Sequence, residues 1–304
     1  MSPVPQYLSV SITVPRPLGP AGIAQIPISR NGSSWEQWFA FHLTPAQQAL
    51  IGLLLPVAVA GIGLLLVRKF VRQDFLRQHH EISGPVLNAL GTVYGVFMAL
   101  VASTTWGYYE QTSANIVQEA RDIQTVYANA TAFSEPFRSE IRQLWAEYRD
   151  VIVAKEWPDL ARGEALREGG GPRIEPVLRR ISDAYAGHQI STPTEGAFFS
   201  ESVTRLDEIK SLRASRFDDA VSSLPGIIWL VLVVGAFILV TFCYLFGARS
   251  YPIHTVMTLM LTAMIALICY TTLILDFPFV GPAAIGPEAF TALDLHCGTE
   301  YDPC

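Results

Sequence analysis

Four stretches of this chain are apolar for the length that crosses a bilayer core, which takes roughly 20 residues of helix. They are residues 46–67, 84–105, 224–246 and 253–275, and none carries Lys, Arg, Asp or Glu. In lipid every backbone N–H and C=O must find an internal partner, so only helices and closed barrels can span. These runs are continuously apolar rather than alternating, which selects helices. Charged residues make up 16% of the chain, against about a quarter in soluble domains, and that agrees with a membrane protein. The spacing predicts an all-α fold: four transmembrane helices with a long, mainly helical polar insert between the second and third.

The domains expected from this pattern are a tail at 1–45, a hairpin of spans at 46–105, the insert at 106–223, a second hairpin at 224–275 and a tail at 276–304. The first 45 residues hold seven prolines and read as a largely disordered tail ending in the aromatics Trp35, Trp38, Phe39 and Phe41. Aromatics of that kind anchor at the headgroup level. Within the insert, Ser134 is placed to cap a helix through Phe137, Ile141, Leu144, Trp145, Tyr148 and Ile152 that should stop at Trp157-Pro158, since proline disfavours helix in the residue before it. Gly169-Gly170-Gly171-Pro172 breaks the chain ahead of a shorter helix. Thr192-Pro193-Thr194-Glu195 has the form of a capping box with proline at the first helical position, opening a helix through Leu206, Ile209 and Phe217.

The second span is too polar for a lipid-facing helix. Asn88, Gly91, Gly95 and Ala99 fall on one face, with Gly91 and Gly95 forming GxxxG, a pattern that lets helix backbones approach closely. The seam continues past the apolar run through Trp106, Tyr109, Ser113, Ile116, Ala120, Ile123, Tyr127 and Ala130 in steps of three and four. One helix of about 45 residues, roughly 70 Å long at 1.5 Å per residue, is therefore expected. It should bundle with other helices, within the chain or between subunits. In the fourth span Thr258, Thr262 and Asp276 lie on a polar stripe with Thr255, Cys269 and Thr272. Those hydroxyls either bond back to their own helix or face the second span across a polar interface.

Several function classes are excluded by what is missing. The net charge of −6 without basic blocks argues against a nucleic-acid partner. No CxxC or zinc-like Cys/His spacing occurs, and the adjacent His79 and His80 point to different sides of a helix. No nucleophile elbow, phosphate-binding glycine loop or embedded carboxylate pair is present, so no catalytic, cofactor or metal site is expected and the chain does not read as an enzyme. Cys297 and Cys304 could pair if their end is extracytoplasmic. Arg205, Lys210, Arg213 and Arg216, interleaved with acids, read as a solvated face. Arg68, Lys69, Arg72, Arg77 and Arg249 all lie in the two short loops, which the positive-inside rule assigns to the cytoplasm. That places both termini and the insert outside the inner membrane.

LRQHHEISGPVLNALGTVYGVFMALVASTTW (76–106), YRDVIVAKEWPDLARG (148–163), LPGIIWLVLVVGA (224–236) and LDFPFVG followed by IGPEAF (275–290) together resemble the bestrophin-like family of bacterial membrane proteins. Bestrophins are pentameric anion channels whose second membrane helix lines an apolar neck. The resemblance thus implies a homo-oligomer in the bilayer that passes small anions, with Val93, Phe97 and Val101 as the constriction. The alternative is a non-conducting membrane module whose insert binds a partner or senses the envelope.

Overall fold

The computed structural model describes residues 35–70, 80–163, 175–221, 224–245 and 251–295. All regular elements among them are helical, and four helices are long and apolar enough to cross a membrane. α1, Trp35–His42, is a short helix in what the sequence suggested was tail. Gln48 holds it by donating to the carbonyls of Ala40, at 2.9 Å, and Leu43. α2, Pro45–Phe70, starts at a capping box, Thr44 with Gln47, and contains a π turn at Leu50–Leu54. α3, His80–Asn129, is one uninterrupted helix of 50 residues, slightly longer than the seam predicted.

The helix through Trp145 does not stop at Pro158. α4 runs as Phe137–Val151, widens into a π turn at Ile152–Glu156, and continues as Trp157–Ala161. The wider turn relieves the proline's clash with the preceding carbonyl and its missing donor. The helix ends instead at Gly163, whose φ of 69° is the left-handed conformation that glycine adopts without strain. Ser134 does not cap α4; Pro136 holds the N-cap position without a side-chain bond, while the Glu135 carboxylate accepts from the Ser139 N–H. α5 is Glu175–Gly187 and α6 is Pro193–Val221. Before α6 the Glu195 N–H donates to Thr192 Oγ1 at 3.1 Å, but the Glu195 carboxylate reaches one residue further back than expected, to the Ser191 N–H at 2.7 Å. α7, Gly226–Tyr244, and α8, Tyr251–Leu275, complete the spans, followed by a short α9, Glu288–Thr291. The HHE triplet side chains, the triple glycine and the C-terminal cysteines lie outside the described residues.

Two cores result. In the insert, α3 packs along α6 and α4 along α5. Ile123, Val126, Ile141, Trp145, Tyr148, Ile152 and Ile209 are all but fully buried there, each large apolar side chain contributing about 1.5–3 kcal/mol. The seam residues Ile116, Ala120, Ile123, Tyr127 and Ala130 belong to this core, so from Ile116 onward the seam is satisfied within the chain, while Trp106 at its start is 51% exposed.

Among the spans the second core forms around Tyr94, Met98, Val101, Trp229, Leu232, Leu239 and Ile265. Its close approaches pair glycine with tyrosine. A Cβ on Gly235 of α7 would lie 2.6 Å from the Tyr94 ring, and one on Gly63 of α2 would lie 2.8 Å from the Tyr244 hydroxyl oxygen. Each tyrosine donates across the interface, Tyr94 to the Leu232 carbonyl at 2.8 Å and Tyr244 to that of Ala60 at 2.9 Å. By contrast, Gly95 would meet nothing within 4 Å. Gly235→Ala should therefore cost about 1–3 kcal/mol through overpacking and lower the thermal midpoint in detergent. Gly95→Ala should leave the isolated protomer as stable as before, a contrast that melting of both variants as monomers would measure.

Candidate functional site

The membrane half of α3 has two unlike sides. Tyr94, Met98, Val101 and Thr105 face the other spans and are buried. The opposite side is open: Val93 is 73% exposed, Val96 56% and Leu100 63%, with Asn88, Thr92, Gly95, Ala99 and Ser103 exposed beside them. The sequence-derived packing face therefore lies at the edge of this open side. Of its two glycines, a Cβ on Gly91 would stand 4.0 Å from Leu239 and one on Gly95 would meet nothing within 4 Å. The exposed surfaces of α2 and α8 are different, built from large residues such as Leu55, Val59, Ile62, Met257 and Met260. Those suit lipid tails. A surface of Asn, Thr, Ser and Gly does not, because it offers little dispersion contact and asks for polar partners.

The three residues of the expected constriction do not share one environment. Val93 is exposed, Phe97 packs partly against the span core, and Val101 is buried at 7%. Of the polar stripe on α8, Thr258 and Thr262 are buried and donate to their own helix, to the carbonyls of His254 and Thr258 at 2.9 Å. The back-bonded alternative is the one present. Asp276 has a different role: its Oδ1 accepts from the Leu224 N–H at 2.7 Å, placing a carboxylate beside the start of α7, where the helix dipole favours negative charge.

A second constellation lies outside the apolar run, where α3, α4 and α6 meet. Glu156, pointed inward by the π turn, accepts from Arg213 Nη2 at 2.7 Å on one oxygen and from Arg216 Nη2 at 3.1 Å on the other. The same Arg216 nitrogen donates to Glu119 Oε1 of α3 at 3.2 Å, and the Tyr148 hydroxyl donates to that oxygen at 2.9 Å. Arg216 and Glu119 are fully buried, and Glu156 is 2% exposed. The Arg216 guanidinium lies 5.3 Å from the Trp157 ring centre and 5.5 Å from that of Phe290. Burial pushes the Glu119 carboxyl above its ordinary range, against the lowering by Arg216 and Tyr148. Arg216 stays firmly protonated because Glu119 and Glu156 outweigh the effect of its burial. Nearby, Asp219 accepts from the Thr112 hydroxyl at 2.9 Å, and burial raises its carboxyl too.

The segment after α8 ties this cluster to the spans. Trp157 Nε1 donates to the Ile285 carbonyl at 3.1 Å and Tyr109 Oη to that of Ala283 at 2.8 Å. Phe279 and Phe290 pack on the Trp157 ring, and Phe41 of α1 meets Phe277 edge-on. The arginines that looked like a solvated face are thus partly core residues. One signal was available: Leu206, Ile209, Arg213, Arg216 and Phe217 are spaced on a single stripe of α6, so both arginines share the apolar side.

The arrangement offers no nucleophile–base pair. What it provides is an open, weakly polar membrane face on α3 and a buried charged joint on the same helix outside the apolar run. A family model, the bestrophin-like domain, matches residues 54–290. The fold is similar to solved structures of a bacterial bestrophin homologue from Klebsiella pneumoniae. One single-substitution variant aligns at 12% identity and a TM-score of 0.57, covering 78% of this chain and 94% of that one. A second aligns at 14% identity and a TM-score of 0.56, covering 80% and 94%. No curated protein matches the sequence.

Removing one partner from a buried charge pair strands the other. Arg216→Met should therefore destabilise the protein by roughly 3–5 kcal/mol, read as a loss of thermal midpoint. Lys210→Met, at a surface pair with Asp207, should change stability by about 1 kcal/mol or less.

Proposed function

This chain belongs to the bestrophin-like domain family, and we propose that it assembles through α3 into an oligomer whose centre conducts small anions across the inner membrane. The observation that carries the reading is the open side of α3. Asn88, Thr92, Gly95, Ala99 and Ser103 have no covering element within the described residues, and second copies of α3 would supply the close backbone contact such residues favour. Symmetric packing would then turn Val93 toward the axis, with Phe97 on its flank. Val101 is held inside the protomer, so Leu100, exposed one position earlier, takes its level in the proposed constriction. An apolar ring of this kind resists ions by dewetting and desolvation.

The proposed orientation follows the basic residues, with both termini and the insert extracytoplasmic. Arg68 and Lys69 end α2 on the side where α8 begins, and Arg68 lies 3.9 Å from the Tyr251 ring centre and donates to His254 Nδ1 at 2.9 Å. The bilayer thus has a basic rim on that side.

Anion flux into liposomes and native mass spectrometry test conduction together. Gly95→Ile should disperse the oligomer while leaving the protomer folded, and Phe97→Ala should raise flux with the oligomer intact. Absence of flux in wild type and Phe97→Ala, with intact oligomers, would favour the non-conducting module whose insert binds a partner. Orientation is read separately from a cysteine-free background carrying Glu140→Cys. That cysteine should react with an impermeant maleimide once the outer envelope is opened, and labelling only after inner-membrane lysis would reverse the assignment.

A further inference from the structure

The joint between α3, α4 and α6 holds more negative than positive groups. Two guanidiniums, Arg213 and Arg216, face three carboxylates, Glu119, Glu156 and Glu175. Glu156 uses both oxygens on the arginines. Glu175 approaches Arg213 Nη1 at 3.9 Å and stays 58% exposed, so water completes its shell. Glu119 is different: both of its hydrogen bonds fall on Oε1, and among the described residues Oε2 is buried without a hydrogen-bond partner, as are Nε and Nη1 of Arg216. An ionised oxygen held fully buried with no protein donor on it is among the costlier arrangements a protein can hold. Adding one proton to Oε2 removes that charge and leaves two carboxylates against two guanidiniums.

We propose that Glu119 is the proton-binding element of a pH-operated latch between α3 and α6: neutral Glu119 closes the contact and ionised Glu119 loosens it. The groups facing it are Tyr148 and Glu156 from α4 and Arg213 and Arg216 from α6. On its own helix, Asp122 is engaged by Gln118 and Arg205. Arg142 of α4 lies over the Tyr127 ring, two turns further along α3. The proton enters from solvent when the contact breathes and leaves the same way, so no other reactant is required. Because α3 is continuous from Glu119 to Val93, about 39 Å at 1.5 Å per residue, the latch sets how firmly the outer half of that helix is held. It does so whether or not the protein conducts.

The sign follows from linkage. Glu119 takes up its proton at higher pH when folded than when unfolded. The associated stability is therefore complete below the unfolded value of 4.5 and is lost as pH rises through the folded value. Hydrogen–deuterium exchange of the full chain in detergent, from about pH 5 to about pH 8 and corrected for intrinsic exchange, should show the α3–α6 amides opening more as pH rises. The increase should reach up to about tenfold per pH unit in that window, the limit for one proton. Glu119→Gln, which mimics the neutral form, should keep opening low and abolish the slope. A flat wild-type profile, or a slope that persists in Glu119→Gln, overturns the proposal. Should Glu119→Gln fail to fold, infrared spectroscopy of wild type decides instead. A protonated-carboxyl band that survives above the ordinary glutamate range and fades as the amides open supports the latch, and absence of such a band overturns it.

Discussion

Everything in this protein hangs on one helix that must satisfy two solvents. Over its first turns α3 lies in a bilayer, where packing between small residues and internal hydrogen bonding are the available interactions. Over its later turns it lies in water, where burial of Ile116, Ile123 and Val126 against α6 and α4 holds it. No break separates the two regimes, since α3 is helical throughout. One backbone hydrogen-bond ladder therefore runs through both.

Two joints keep the remaining helices in register with it. Inside the apolar zone, tyrosine rings on one helix fill the space above glycines on the next, and each hydroxyl donates to a carbonyl across the contact. Outside it, the inward turn at Glu156 gathers two arginines of α6, with Trp157 and Phe290 around Arg216. The chain after α8 joins these regions through the Ile285 and Ala283 carbonyls. The short signatures that carry the family resemblance thus gain a physical reading. EWP supplies the inward carboxylate, the indole and the proline that the π turn accommodates. LDFPF supplies the carboxylate at the start of α7, Phe277 against the Phe41 ring, and Phe279 against the indole.

Much of this was legible beforehand. The four spans followed from unbroken apolar length, and the length of α3 followed from a seam free of interior breakers. The stripes of α5 and α6 followed from helical periodicity. Local chemistry near prolines was less legible: Pro158 ought to end α4, yet a five-residue π turn absorbs it. The burial of Arg213 and Arg216 was missed because charge outweighed position, although their stripe is that of Ile209 and Phe217.

The sequence by itself determined what must be helix and what must cross a membrane, because those outcomes depend on length, period and the absence of water in the bilayer. Tertiary structure alone decided which glycines are contacts. GxxxG in α3 satisfies the pattern yet stands almost uncovered in the protomer, while Gly52, Gly63 and Gly235 are the close approaches among the spans. The same holds for Val101, turned inward, and Val93, turned outward. A small residue only permits approach, and whether a neighbour comes is set by how the other helices pack.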